Sequence, residues 1–415
     1  MTSWSAVREL RRTAPVDFNN RLFVFAWALT PAVAGSVVSI LLWMCLVWAP
    51  VRALLMPLDY RLSPLDRRFA WLMTSYGVVH VGFSLAMGGL AAVTPLLAVF
   101  LFFSPWLLVP RLRITPEAEL LPLLACGAAC GAILAALLGI AQYYLISFRA
   151  AGGAGNESIF GLAGAVLAGA ALSGALLPGR KLGLLGLAGF VAGSVCVFLS
   201  GTRGVWILPI VHGAIVLVLS AGRLRWKTVI GLVVAAITLS ASLYAVFSPA
   251  IDRRIAAMEN NIARMEQLDD YDTSIGHRIL LLRGGWEAVK ERPLTGYGIV
   301  DRMPAALSHL PDNERALVGY SHPHNGFLSA LLDAGIPGLL TLLAALAAPL
   351  VAAFGAARDP QWRARCAVAL TLVASYAIAG STNLIFGNDI ANALFVAFAL
   401  VIAASTPFAE SAKPS

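Results

Sequence analysis

Charged residues are scarce in this sequence. Only 13% of its 415 residues are Asp, Glu, Lys or Arg, whereas 59% are hydrophobic. A soluble globular protein carries roughly 25% charged residues, so this chain has too little charge to cover a surface in water. The scarcity excludes an ordinary soluble protein and indicates that most of the surface faces lipid.

Cysteine is also sparse, which argues against a disulfide framework. The five cysteines are scattered, mostly within apolar runs: Cys45, Cys126, Cys130, Cys196 and Cys366. Two of them, Cys126 and Cys130, are one helical turn apart, but no histidine or second cysteine pair accompanies them. The pattern favours small core residues over a metal site.

The net charge of +8 does not point to a nucleic-acid partner, because of where the basic residues lie. They form short clusters between long apolar runs, a pattern typical of loops on the cytoplasmic side of a membrane. The clusters are Arg8, Arg11, Arg12 and Arg21; Arg61, Arg67 and Arg68; Arg111 and Arg113; Arg180 and Lys181; Arg223, Arg225 and Lys227; and Arg358, Arg363 and Arg365. Membrane lipid is therefore the predicted partner, and nucleic acid is not.

Apolar runs long enough to cross a bilayer recur along the chain. A helix needs roughly 20 apolar residues to cross about 30 Å of hydrocarbon. Such runs lie at 69–88, 90–109, 118–146, 159–178, 182–200, 204–221, 227–247, 325–355, 361–381 and 388–406. Residues 22–56 form a further run with basic clusters on both flanks, which predicts two crossings with a turn near residues 31–36. A cleaved signal peptide is disfavoured there because a second crossing follows at once.

These runs predict an all-α integral membrane protein with about twelve transmembrane helices and both termini in the cytoplasm. One long segment interrupts them on the periplasmic side. The predicted division is an N-terminal bundle of nine spans, a periplasmic helical loop, three C-terminal spans and a cytoplasmic tail, at residues 1–247, 248–323, 324–406 and 407–415.

The long segment is too complex in sequence to be a disordered linker, and loops beyond about 12–15 residues are usually functional or disordered. Amphipathic patterns predict helices at 251–268 and 274–292. Pro293 ends the second helix, and Gly296-Tyr297-Gly298 predicts a turn. We expect a small helical subdomain on the membrane surface. For 251–268, an interfacial helix and an ordinary solvated helix are both open.

The first candidate site is Ser200-Gly201-Thr202-Arg203-Gly204, at the outer end of the seventh span. A charge at the membrane boundary is costly unless it is paired. An arginine that reaches the lipid headgroups is one interpretation. The flanking glycines permit close approach of the backbone to a ligand, and the start of the next helix favours an anion. Arg203 is therefore predicted to bind an anion.

The second candidate is Arg278, with Arg283 behind it on the predicted loop helix. A guanidinium group binds phosphate oxygens through paired, charge-assisted hydrogen bonds that lysine does not match. A surface salt bridge from Arg278 to Glu287 or Asp272 is the alternative, and the sequence leaves both open.

The third candidate is Ser321-His322-Pro323-His324-Asn325-Gly326, which opens the tenth span. Histidine, with an ordinary pKa of about 6.5, suits proton transfer near neutrality. A metal site is disfavoured, because Pro323 separates its neighbours and no cysteine or carboxylate cluster adjoins them. A structural histidine is the remaining alternative. Tyr320 is a candidate platform for a sugar ring, although interfacial tyrosines are common.

Two carboxylates complete the set of candidates. Asp389, in the last outer loop, is predicted to orient a histidine or an arginine. Asp333 lies nine residues after His324, which is two and a half helical turns, so it faces away from the histidine. It is predicted to pair elsewhere or to fix the tenth helix.

The ordered set of motifs resembles the O-antigen ligase/polymerase superfamily over roughly residues 195–340. The resemblance rests on Ser200–Gly204, on Arg278, Trp286 and the stretch Pro293-Leu294-Thr295-Gly296-Tyr297-Gly298, and on His324-Asn325 followed by Gly335-Ile336-Pro337-Gly338. It implies a membrane glycosyltransferase (GT-C-like) architecture in the bacterial inner membrane, with a periplasmic active site. Within this superfamily the ligases are the nearest in likeness.

The resemblance also implies an activity and its site. A preassembled glycan would move from undecaprenyl pyrophosphate to a sugar hydroxyl of lipid A–core, with inversion. His324 corresponds to the motif histidine, a general base, and Arg203 and Arg278 to the essential arginines, which would bind the pyrophosphate. No metal or other cofactor is expected, on the ground that no Asp-x-Asp motif is assigned to hold a metal-bound nucleotide donor. Further substrate contacts are predicted at Arg283, His322, Asn325, Tyr320 and Asp389.

Several alternatives stay open at this point. An O-antigen polymerase uses the same donor, and a protein O-oligosaccharyltransferase is a longer relative. A polytopic transporter or flippase is disfavoured, because charge is nearly absent from the span centres and no internal repeat is evident. The motifs specify neither the glycan nor the acceptor sugar, and they leave the oligomeric state undetermined.

Overall fold

The protein is helical throughout the part of the chain that the structure describes. This structure is a computed structural model, and it describes residues 4–55, 61–221, 248, 252–253, 255–267 and 270–408. Within these ranges every regular element is a helix and no strand occurs. The prediction of an all-α fold is therefore confirmed.

The helices are numbered here in chain order. The α-helices are α1 Trp4–Thr13, α2 Pro15–Leu29, α3 Val37–Leu55, α4 Pro64–Gly88, α5 Val93–Leu96, α6 Pro105–Leu112, α7 Glu117–Leu145, α8 Glu157–Ser173, α9 Arg180–Leu199, α10 Leu208–Leu219, α11 255–267, α12 Gly276–Glu291, α13 Gly298–Ser308, α14 Asp312–Arg315, α15 Gly326–Gly355, α16 Trp362–Gly380 and α17 Asp389–Ala404. Short 3-10 helices lie at Gly89–Ala92, Leu97–Phe103, Gly152–Ala154, Gly174–Leu176 and Arg203–Val205.

Length and composition make six of the described helical stretches able to cross a membrane. They are Pro64–Leu96, Glu117–Leu145, Glu157–Leu176, Arg180–Leu199, Gly326–Gly355 and Trp362–Gly380. Shorter apolar helices occur at Val37–Val51, Arg203–Leu219 and Asp389–Ala404. These helices are consistent with a multi-pass membrane protein. The number of spans and the side of each terminus stay predictions, and the predicted span 227–247 lies outside the described residues.

Two local predictions are confirmed. The run 22–56 forms two helices, since α2 ends at Leu29, turns occupy residues 31–36 and α3 begins at Val37. The predicted loop helix 274–292 is α12, which ends one residue before Arg292 and two before Pro293. The predicted helix 251–268 corresponds to α11, and its predicted ends lie outside the ranges described.

One predicted span is wrong as a continuous helix. Residues 90–109 form a 3-10 turn, the single turn α5, a second 3-10 helix and the start of α6. The interruptions follow from the sequence: Gly88 and Gly89 weaken the helix, and Pro95 and Pro105 lack the N–H that an internal turn requires. Gly89 has a φ of +52°, which other residues adopt rarely.

Small residues let the helices pack closely within the chain. A Cβ atom on Gly127 or Gly131 of α7 would collide with the α2 backbone, and one on Gly164 of α8 would collide with Cys196 of α9. Helix α17 is buried from Ile390 to Ala404. Close approach at small residues is the usual basis of helix packing in membranes.

Three long helices connect the two ends of the bundle. Helix α7 has 29 residues, which corresponds to about 44 Å. Helices α4 and α15 pack along each other, and Gly355 at the end of α15 lies beside Leu65 near the start of α4. We call the end where α15 begins the His324 end, and the end where α15 finishes at Gly355 the opposite end.

Candidate functional site

The loop that carries Arg203 is held tightly between α9 and α10. Gly201 has a φ of +61°, and a Cβ atom on Gly204 would collide with Thr382, so both positions require glycine. Ser200 is fully buried, and its hydroxyl accepts a hydrogen bond from the N–H of Thr202 at 3.1 Å. The half-buried Arg203 begins the 3-10 helix that follows. The loop therefore presents its arginine from a fixed backbone.

The structure adds a third arginine, which the sequence analysis missed. Nε of Arg149 donates to the carbonyl of Ser200 at 3.2 Å, and its terminal nitrogen lies 3.7 Å from Glu157. The side chain also runs past Gly201. The sequence did contain a signal for it. Arg149 lies in a short loop that the predicted topology places on the periplasmic side, where Lys and Arg are uncommon. Arg149 thus belongs to the same group of cations as Arg203.

Arg278 of α12 lies close to both of these arginines. Loss of hydration lowers the pKa of its guanidinium, and the positive charges of Arg203 and Arg149 lower it further. The proposed salt-bridge partners are engaged elsewhere, because Glu287 pairs with Lys290 at 2.7 Å and Asp272 with His277 at 3.1 Å. Across the described ranges no carboxylate lies within 4 Å of Arg278. Its charge is available to an anion.

Two imidazoles and a phenol lie beside these arginines. The ring centroids of His322 and His324 are 4.2 Å apart, and Nδ1 of His322 accepts from the backbone N–H of His324 at 3.2 Å. The ring of Tyr320 meets that of His324 edge to face at 4.6 Å. The predicted residues Arg203, Arg278, Tyr320, His322 and His324 are therefore brought together.

Both histidines are neutral at neutral pH. The pKa of His324 is lowered to about 4. Burial has the largest effect, and the positive charge of Arg278 adds to it. The pKa of His322 is also lowered to about 4. Burial has the largest effect, and the positive charges of protonated His324, of Arg302 and of Arg278 add to it. A neutral imidazole accepts a proton, so either ring is in the state that a general base requires.

His324 adopts a strained backbone conformation. Its φ is +51°, and among the residues described it is the one non-glycine residue with a positive φ. Such a conformation costs about 1–3 kcal/mol and persists where the surroundings fix it, often at functional sites. The next residue, Asn325, is fixed in place as the N-cap of α15. Its side-chain oxygen accepts hydrogen bonds from the N–H groups of Phe327 and Leu328, both at 3.0 Å.

The predicted turn and the glycine-proline motif of α15 lie against each other. The N–H of Tyr297 donates to Leu332 and the N–H of Ile336 donates to Pro293, both at 2.7 Å. The predicted apolar run 325–355 forms α15, and the helix is kinked here, since Ala334 and Gly335 are not helical and Gly335 has a φ of +63°. A Cβ atom on Gly335 would collide with the backbone of Leu294. The turn that follows α12 therefore packs against the break in α15.

Three other predicted residues have partners of their own. Arg283 forms an ion pair with Glu314. Asp389 accepts a hydrogen bond from the hydroxyl of Ser36 at 2.6 Å. Their predicted roles toward substrate stay predictions. Asp333 pairs with Arg302 instead of His324, at 3.1 Å, which confirms that it pairs elsewhere.

The expected absence of an Asp-x-Asp motif is wrong, because Asp270-Tyr271-Asp272 is one. Asp270 forms an ion pair with Arg264, and this contact, with the N–H of Asp272, lowers the pKa of Asp270. The carboxylate of Asp272 lies within hydrogen-bond distance of the His277 ring, at 3.1 Å. In the described part of the chain no three His, Cys, Asp or Glu side chains are grouped so as to hold a metal ion. Independence from metals stays a prediction.

Comparisons with known proteins relate the segment that carries these residues to one family. Residues 188–343 match a family model described as O-antigen ligase. A Haemophilus influenzae protein described as uncharacterized is 28% identical over 172 residues, which is 40% of this chain and 42% of the relative. The chain therefore matches less than half of that relative's length. The matched family segment contains Arg203, Arg278 and His324, and it confirms the resemblance to the O-antigen ligase/polymerase superfamily. It supports a function of that type in lipopolysaccharide biosynthesis.

Proposed function

We propose that this chain is an O-antigen ligase. It transfers a preassembled glycan from undecaprenyl pyrophosphate to a sugar hydroxyl of lipid A–core, at the periplasmic face of the bacterial inner membrane. The observation that carries the proposal is one cluster in which the cation Arg278, without a carboxylate partner in the described chain, adjoins two further arginines and the neutral, strained His324.

The arginines suit the leaving group. The bond between the anomeric carbon and the pyrophosphate oxygen breaks, and its electron pair stays on the phosphate. Negative charge on the pyrophosphate rises during this step, so donors fixed before the reaction stabilise the transition state more than the ground state. Arg278 and Arg203 would bind the phosphate oxygens, and Arg149 would add a third guanidinium to meet the added charge.

His324 suits the acceptor. The hydroxyl oxygen forms the new bond to the anomeric carbon from the face opposite the pyrophosphate, which inverts the configuration. The hydroxyl proton passes to the neutral imidazole of His324. A base whose pKa is about 4 is weak. The bound pyrophosphate offsets the positive charge of Arg278, so the pKa of His324 rises when the donor is present.

Neighbouring side chains offer further groups for contacts with substrate. Tyr320 is 39% exposed beside His324, and its ring would stack on a sugar. The oxygen of Asn325 is used by the helix cap, which leaves its amide N–H groups for a ligand. His322 orders the segment through its bond to the N–H of His324.

The test is a reaction of the purified full-length protein with a polyprenyl-pyrophosphate-linked glycan and lipopolysaccharide that lacks O-antigen. Glycan attached to lipid A–core supports the ligase. A longer lipid-linked glycan instead identifies a polymerase, glycan on an added protein an oligosaccharyltransferase, and lipid translocation without transfer a flippase. A parallel reaction with EDTA should run at an unchanged rate, and inhibition that added Mg²⁺ reverses would contradict metal independence.

A further inference from the structure

A buried ionic group lies next to the segment that carries His322 and His324. Arg302 on α13, Asp333 on α15 and His80 on α4 are each at most 7% exposed. Nη1 of Arg302 lies 3.2 and 3.1 Å from the two oxygens of Asp333. Nδ1 of His80 lies 3.8 Å from the same carboxylate. Three helices therefore meet at one buried carboxylate.

The group joins the two sides of the break in α15. Asp333 is the last residue before the non-helical Ala334 and Gly335. The other ring nitrogen of His80 lies 3.4 Å from the carbonyl of Gly338, beyond the break. Buried ion pairs add little stability on average, because desolvation offsets much of the attraction. What this group supplies is a fixed position for the end of a helix.

The helix in question is the short segment 325–333, which we call the leading segment of α15. Asn325 caps its beginning, directly after His324, and Asp333 ends it. The N–H of Tyr297 also donates to its last turn, at Leu332. A short helix moves as a rigid unit, so fixing its end at Asp333 also fixes its beginning beside His324. The left-handed conformation of His324 needs such a constraint.

We propose that Arg302, Asp333 and His80 are positioning residues that clamp the leading segment and thereby hold the imidazole of His324 in its working orientation. The inference rests on the proposed function for its activity readout, while the clamp itself has a readout that needs no activity. The coupling of Arg302 to His322, whose pKa its charge lowers, agrees with the short separation between the clamp and the site.

The test is Asp333→Asn in the full-length protein, with Asp66→Asn as the matched control. Asp66 forms the corresponding buried pair with Arg113, at 2.6 Å, at the opposite end of the bundle. We expect Asp333→Asn to lower kcat about 10- to 100-fold with little change in KM for the donor, since a small displacement of a catalytic group costs this much. Amide hydrogen exchange at residues 324–333 should accelerate in Asp333→Asn and stay unchanged in Asp66→Asn.

A second variant covers the case in which Asp333→Asn fails to fold. Arg302→Lys keeps the positive charge, so it should show the same two changes at smaller size. The clamp is contradicted if exchange at 324–333 and kcat both match the wild type, or if Asp66→Asn accelerates that exchange equally. Retained transfer in His324→Ala contradicts the proposed function instead, and exchange then decides the clamp separately.

Discussion

The two ends of the helical bundle use arginine in different ways. At the opposite end, Arg113 pairs with Asp66 at 2.6 Å and Arg365 with Asp359 at 3.0 Å. At the His324 end, Arg278 has no carboxylate within 4 Å in the ranges that the structure describes, and burial, together with the charges of the other arginines, lowers its pKa. Arginine is structural where its charge is balanced and is available to a ligand where it is not.

The difference has an energetic meaning. Removing one member of a buried ion pair leaves an uncompensated charge and costs about 3–5 kcal/mol. A group of like charges, in contrast, is strained until an anion binds. Substitutions in the buried pairs of the opposite end and at the unpaired Arg278 should therefore separate into losses of stability and losses of transfer.

His324→Ala should have the largest effect. Loss of a general base lowers kcat about 100- to 10,000-fold, whereas binding of the donor should persist because the arginines remain. The measurement is single-turnover transfer together with donor binding. His309→Ala is the matched control, since His309 lies at the same end but pairs with Glu291 at 2.9 Å. Equal activity in the two variants would contradict the assignment of the base.

Arg278→Ala should have the next largest effect, on donor binding. Hydrogen bonds to charged groups contribute about 1.5–3 kcal/mol, so the donor Kd should rise about 10- to 100-fold. Arg283→Ala on the same helix removes an arginine that pairs with Glu314, and its effect should be smaller. Equal losses, measured by equilibrium binding, would contradict the difference that we expect between the unpaired Arg278 and the paired Arg283.

The pH dependence should distinguish the free site from the occupied one. His324 must be neutral to accept a proton, so activity is lost as pH falls through its pKa. Plots of kcat/KM report the free enzyme, and their acid limb should lie near pH 4. The limb in kcat should lie at higher pH, because the bound pyrophosphate raises that pKa. A kcat limb at the lower pH of the two would contradict the proposed electrostatics.

Asp359→Asn should have the smallest effect on transfer. It leaves Arg365, which is fully buried, without its carboxylate, so the free energy of unfolding should fall by about 3–5 kcal/mol. The folded protein should keep its rate, since the pair lies at the opposite end from His324. The checks are thermal unfolding in detergent and transfer per folded molecule. Normal stability together with slow transfer in Asp359→Asn would contradict a purely structural role for this pair.

Much of the fold followed from local signals in the sequence. Apolar length predicted the helices, the basic clusters on both flanks predicted that 22–56 forms two helices, and Pro293 predicted where α12 would end. The same signals failed where tertiary contacts decide. Residues 90–109 are interrupted by proline and glycine, and the break at Gly335 depends on a turn some forty positions earlier in the chain.

The site was predictable in its residue types but not in its surroundings. Arginines and histidines in ordered motifs predicted Arg203, Arg278 and His324 as a group, and the structure brings them together. Arg149 lies outside those motifs and joins them through the carbonyl of Ser200. The pair of Arg302 and Asp333 is long-range, and the positive φ of His324 has no signature in a single sequence.

In the proposed function, guanidinium groups from separate parts of the chain bind one anion beside His324. The most direct measurement is a structure of the full-length protein with a polyprenyl pyrophosphate bound. We expect phosphate oxygens within hydrogen-bond distance of both Arg203 and Arg278, with the sugar-bearing end of the pyrophosphate directed toward His324. A pyrophosphate bound away from these arginines, or held with its sugar-bearing end far from the imidazole, would contradict it.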